Sequence, residues 1–142
     1  MNGDFTLAVH ALAFLNHKKE TVSSDMLADN IYTHPARVRK VMALLKKAKL
    51  VETKEGRPSG GYMFTLDAEV ITLNDVAKAV SAMFVSSDWR SGSMDKECLV
   101  ASGMGEIMDG IYTELNTLCY DRLTETTVAD IDRQIFGEVQ NQ

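Results

Sequence analysis

The chain has 142 residues, two of them cysteines, and 45% of the residues are hydrophobic. That length fits one modest domain, or one domain with an appendage, and no apolar run approaches the ~18 residues of a membrane span. The formal charge of −5 hides an asymmetry: residues 1–66 carry ten Lys/Arg against six Asp/Glu, net +4, and residues 67–142 carry five against fourteen, net −9. Contacts with a polyanion are therefore expected from the first half, and the acidic half should sit away from it. Two cysteines make no disulfide framework. The opening Met1-Asn2-Gly3-Asp4 lacks the basic-then-apolar pattern of a signal peptide, so a cytoplasmic protein without a membrane partner is expected.

The first helix is predicted from about Asp4 to Asn16. Phe5, Ala8, Val9, Leu12 and Leu15 recur at helical spacing, and Leu7, Ala11 and Phe14 widen the stripe. A second helix starts near Ser23 or Ser24, either of which suits an N-cap, with Leu27, Ala28 and Ile31 facing inward. Asn30-Ile31-Tyr32 reads as the turn. The third helix is predicted from Thr33 to Lys49, with Thr33 as N-cap and Pro35 in the first turn, where its missing N–H costs nothing. Val38, Val41, Met42, Leu45 and Ala48 line one face, Arg37, Lys40 and Lys47 the other, and Arg39 and Lys46 flank them. Residues 33–49 contain no acid. A merely solvated helix would intersperse acids among its cations.

Strands are expected at Val51 to Lys54 and at Tyr62 to Leu66, around the loop Glu55-Gly56-Arg57-Pro58-Ser59-Gly60-Gly61. Gly56 and Gly61 have P-loop spacing, but Tyr62 stands where the lysine belongs and no helix follows. Residues 23–66 thus form a helix-turn-helix with a two-stranded wing, a unit that fits DNA: a helix enters the major groove and a short basic loop reaches the backbone or minor groove.

Leu73 to Ser81 reads as a fourth helix capped by Asn74 or Thr72, and residues 85–97 as a polar loop in which Trp89 anchors onto the fold or onto a partner subunit. A long helix is predicted over Met104 to Leu123. Its residues Met104, Met108, Ile111, Leu115 and Leu118 alternate by four and three, a coiled-coil-like seam that favours a second copy of the chain. Thr126 or Thr127 caps a final helix through Ile135-Phe136. The expected organisation is a DNA-binding unit over 1–82, a connecting segment over 83–103, and the long and final helices over 104–142. The fold class is mainly α with a small β-wing.

Phe5-Thr6-Leu7-Ala8-Val9-His10-Ala11-Leu12, His34-Pro35-Ala36-Arg37-Val38-Arg39-Lys40, Gly60-Gly61-Tyr62 and Leu73-Asn74-Asp75-Val76, followed by the long helix, resemble the Rrf2 family of bacterial winged-helix transcription regulators. The resemblance covers most of the chain. It implies a homodimer on a dyad-symmetric operator, usually as a repressor, with the long helix as the dimerisation helix. Iron–sulfur members of that family place three cysteines before and at the start of the long helix. Here that segment holds Cys98 alone, and Cys119 lies well inside the helix. A cluster needs about four ligands, so neither a cluster nor another cofactor is expected, and the chain looks like a cluster-free member.

The expected DNA contacts are Arg37, Arg39 and Lys40, with Thr33 and His34 at the helix start, Arg57, Pro58, Ser59 and Gly60 at the wing tip, and Ser23 and Ser24 towards a phosphate. The expected dimer seam is Met104, Met108, Ile111, Leu115 and Leu118. Cys98, beside Lys96 in a polar segment, is the candidate redox thiol, although Asp95 and Glu97 oppose a lowered pKa. His10, His17 and His34 form no metal-ligand set, and no nucleophile–base–acid combination stands out. Two other classes remain open: a winged-helix module that binds proteins rather than DNA, and a thiol enzyme built on Cys98.

Overall fold

The computed structural model describes residues 2–56 and 60–137. Six helices and one hairpin follow in the order α1 (Gly3–Lys18), α2 (Ser24–Ile31), α3 (Pro35–Lys47), β1 (Glu52–Lys54), β2 (Gly61–Met63), α4 (Leu73–Ala79), α5 (Leu99–Leu123) and α6 (Val128–Phe136). This is the mainly helical, winged architecture expected from the sequence.

The core lies where α1, α2 and α3 meet. Leu12, Leu15, Leu27, Val38, Val41, Met42 and Leu45 are fully buried there. They are the inward stripes read from the periodicity, except that Ala48 is exposed at the C-cap of α3. The helix borders differ slightly from expectation. α1 runs two residues further at its C-terminal end, to Lys18, and α2 includes Asn30 and Ile31, so the turn shifts to Tyr32, Thr33 and His34. Tyr32 takes a left-handed conformation and its N–H donates to the Ala28 carbonyl. Ser23, not Ser24, caps α2, its side chain accepting from Met26 N–H. The N-cap of α3 is His34 rather than Thr33; the Thr33 N–H is already committed to the Ala28 carbonyl.

The wing is a short antiparallel hairpin with Glu52 opposite Met63 and Lys54 opposite Gly61. Val51 and Phe64 are buried just outside it, whereas Leu66, the expected end of the second strand, lies beyond β2 and is exposed. Paired hydrogen bonds between Val22 and Tyr62, both 2.8 Å, fasten the base of the wing to the start of the helix-turn-helix. Gly61 permits this: a Cβ there would lie 2.3 Å from the Val22 carbonyl oxygen, and its φ of +153° suits glycine.

α4 and α6 each begin with a capping box, Thr72 with Asp75 and Thr127 with Asp130. Asn74 is therefore not a cap but a buried residue within α4. The two N-termini are joined by a bridge between Thr72 and Thr127, and Arg133 of α6 reaches both Glu69 and Asp130. The Phe136 ring stacks on His17 of α1 at 4.3 Å. Hence α6 packs on α1.

α5 begins at Leu99, ahead of the predicted Met104, and takes five residues from the segment expected to connect. It touches the rest of the chain along one side. Asn116 is buried there and accepts from the N–H groups of both Phe84 and Val85, each at 2.9 Å, while its own amide donates to the Val85 carbonyl. Tyr120 adds a hydroxyl bond to the Ala82 carbonyl. Removing the Asn116 amide leaves three backbone groups unpaired. Orphaned groups of this kind cost about 1–3 kcal/mol each when buried. Asn116→Ala is therefore expected to lower the thermal midpoint by several degrees, measured by circular dichroism, and an unchanged midpoint would mean that water replaces the amide without loss.

Candidate nucleic-acid interface

α3 owes its direction to its apolar side. Val38, Val41, Met42 and Leu45 are buried, which turns Arg39, Lys40, Lys46 and Lys47 outward. No acidic residue lies in its first turn, and His34, Ala36 and Arg37 are exposed there, with Thr33 partly covered. Arg37 is not unencumbered: its Nε and Nη2 donate to Asp4 Oδ1 of α1 at 3.4 and 3.3 Å. Arg39 and Lys40 have no carboxylate partner among the described residues.

The wing stands beside this face. Burial pushes the Tyr62 phenol up from its ordinary pKa, and the Arg39 cation, within electrostatic reach of the hairpin, offsets part of that rise. A cleft of about 540 Å³ separates the start of α2 from the wing. Ser23, Ser24, Lys54, Gly60 and Gly61 line it, so residues distant in sequence meet at one edge. The positive end of the α2 dipole opens into the same cleft. Arg57, Pro58 and Ser59, the expected wing tip, lie outside the described residues. Lys54 and Asp4 were missed by sequence reasoning. The strand position of Lys54 was legible, but the approach of Asp4 to Arg37 joins α1 to the start of α3 across 33 residues of sequence.

α5 presents an apolar stripe to solvent. Ile107, Ile111, Leu115 and Leu118 are 59%, 41%, 40% and 64% exposed, whereas Met104 and Met108 are partly covered. Val100, now inside the helix, continues the stripe towards the N-terminus. Trp89, at 74% exposure, does not anchor onto its own fold.

Cys98 is the exposed N-cap of α5. Its side chain makes no capping hydrogen bond, but the nearby backbone N–H groups of Ala101 and Val100 lower its pKa from the ordinary thiol value. Cys119 is partly covered further along the same helix. At 1.5 Å per residue the two thiols are roughly 30 Å apart. Among the described residues no three His, Cys, Asp or Glu side chains are grouped to hold a metal ion. No helix among them is long and apolar enough to cross a membrane.

A helix-turn-helix closed by a hairpin, with cations on the outer side of its last helix, defines a winged-helix transcriptional regulator. Residues 1–134 match the profile of the Rrf2 family, described as an iron-dependent transcriptional regulator, and the chain belongs to that family. It is 24% identical over 139 residues to YwnA of Bacillus subtilis (strain 168), designated an HTH-type transcriptional regulator, across 96% of this chain and 99% of that one. A crystal structure designated a transcriptional regulator from Lactobacillus plantarum superposes with a TM-score of 0.84 at 22% identity, covering 99% of this chain and 97% of the other. CymR, the global cysteine regulator of B. subtilis, superposes at 0.67 with 15% identity, covering 94% and 96%. The iron dependence named for the family does not fit the donor set here. Two thiols so far apart on one helix cannot ligate one cluster within a chain.

Proposed function

We propose that two copies of this chain pair through the outer stripe of α5 and bind a dyad-symmetric operator in the cytoplasm as a repressor. In this reading α3 enters the major groove, with Arg37, Arg39 and Lys40 towards the bases and phosphates and Thr33 and His34 at the rim. Ser23, Ser24 and Gly60 approach the backbone from the two sides of the cleft, and Arg57, Pro58 and Ser59 belong to the wing tip. The observation that carries it is the outward, cationic face of α3, a helix without an acid of its own, on a chain whose C-terminal half is acidic. The task is binding rather than catalysis, with no cofactor and no membrane partner.

Capture of genomic DNA fragments with the purified protein, followed by sequencing, tests the proposal. The expected product is an inverted repeat whose half-sites are spaced by about one or two helical turns. Recovery of no fragment above the input level would favour the protein-interaction module instead.

Within this reading Cys98 is the candidate redox thiol. Its lowered pKa makes the thiolate available at lower pH than for an ordinary cysteine, and the thiolate is the nucleophile. Iodoacetamide should therefore label Cys98 before Cys119, with a rate that rises with pH and levels off below the ordinary thiol pKa. Peptide mass spectrometry across pH checks this, and earlier labelling of Cys119 would remove Cys98 from the role.

A further inference from the structure

We infer that Asp4 restrains DNA binding: beside Gly3 it forms a latch that holds the Arg37 guanidinium and that DNA phosphate must displace. The inference rests on the proposed placement of Arg37 at the interface. Four observations lead to it.

First, Arg37 sits in the opening turn of α3, where the helix dipole already disfavours a cation and α3 supplies no acid of its own. Asp4, from the opening turn of α1, supplies the missing carboxylate. Second, the guanidinium lies over Gly3. A Cβ built on Gly3 would stand 2.5 Å from Arg37 Nη2, so any other residue at this position obliges the end of that side chain to shift. Third, the opening turn of α1 is fixed from behind. The Phe5 ring meets Phe84 edge-on at 5.1 Å, and Phe84 in turn meets Tyr120 of α5 at 5.9 Å. Asp4 is thus held in place rather than drifting with Arg37.

Fourth, the pair is weak. Both bonds go to one oxygen, at 3.3 and 3.4 Å, beyond the usual length of a charge-assisted bond, and the side chains are 48% and 37% exposed. An exposed pair of this kind is worth little to the fold. It is strong enough to set the resting rotamer of Arg37 and weak enough to yield to a phosphate. Among the described residues Nη1 has no protein partner, so that edge of the guanidinium is where a phosphate makes first contact. Exchange of Asp4 for phosphate then releases the arginine into the groove, and Asp4 lowers both the affinity and the number of counterions released.

The test is a fluorescence titration of a mixed-sequence DNA duplex against salt, with wild type, Asp4→Asn, Asp4→Glu, Gly3→Ala, Arg37→Ala and the Asp4→Asn/Arg37→Ala double variant. The latch predicts that Asp4→Asn tightens binding about two- to fivefold and steepens the salt slope by up to about one unit. Gly3→Ala should act in the same direction with no change of charge, and Asp4→Glu should stay near wild type. The gain must vanish in the Arg37→Ala background. An equal gain there would mean that Asp4 acts only through general repulsion, which overturns the latch. Weaker binding by Arg37→Ala with no gain from Asp4→Asn overturns the latch and leaves Arg37 at the interface. No loss from Arg37→Ala removes Arg37 from the interface and the latch with it.

Discussion

Replacing Ile111 and Leu115 together by aspartate is expected to convert a dimer into a monomer and to abolish operator binding. Both residues lie near the middle of the exposed stripe on α5, bounded by Ile107 and Leu118. The opposite side of the helix is already occupied by its own domain through Asn116 and Tyr120, and the stripe stays exposed among the described residues. A contiguous exposed apolar stripe is the kind of surface on which the proposed pairing would rest. Four carboxylates brought together across a two-fold axis would each have to be desolvated unpaired, at a cost of several kcal/mol. Because the two side chains are partly exposed within one chain, folding should survive, and circular dichroism provides the control. Sedimentation velocity reads the assembly. A double variant that still sedimented as a dimer would place the interface elsewhere.

The second large effect is expected from Arg39→Ala combined with Lys40→Ala. Both side chains leave the outer face of α3, and neither is neutralised by a carboxylate among the described residues. Loss of a phosphate contact weakens binding to all sequences and flattens the salt slope by about one unit, whereas loss of a base contact costs roughly 1–3 kcal/mol at one operator position. Arg39 is the stronger candidate for a base contact because it lies within electrostatic reach of Tyr62 on the hairpin. The pair should therefore weaken mixed-sequence binding severalfold and the operator by more. Equal losses on the two duplexes would make both residues phosphate contacts. Unchanged affinity on both would turn this face of α3 away from DNA.

Much of the architecture was legible because local rules governed it. The inner faces of α1, α2 and α3 follow from apolar spacing, and Ser23, Thr72 and Thr127 act as caps for the reason that serine and threonine usually do. Gly61 was visible as a turn glycine, but its reason was not. The residue is needed because the Val22 backbone passes against it, a contact made only after folding. The start of α5 was placed late because Leu99-Val100-Ala101-Ser102-Gly103 contains a glycine and a serine, which read as loop. In the structure the segment is helical, and the 2.9 Å bond from Ser93 N–H to the Ala101 carbonyl ties the preceding loop to it. Asn116 broke no pattern that periodicity registers, since a polar residue on a long helix reads as solvated; only the adjacent 84–85 backbone gives it a purpose. The candidate site divides the same way. The cations of α3 were read from one helix, while the link from Arg37 to Asp4 joins two elements that periodicity treats separately.

The central claim is that a chain of net charge −5 binds DNA through the cationic face of its winged helix. The most direct measurement is the affinity of the wild-type protein for a mixed-sequence duplex as a function of salt. The account predicts measurable binding at low salt, with log K falling linearly as log salt rises and a slope that counts several phosphates. Absence of binding at the lowest salt, or an affinity indifferent to salt, would contradict it.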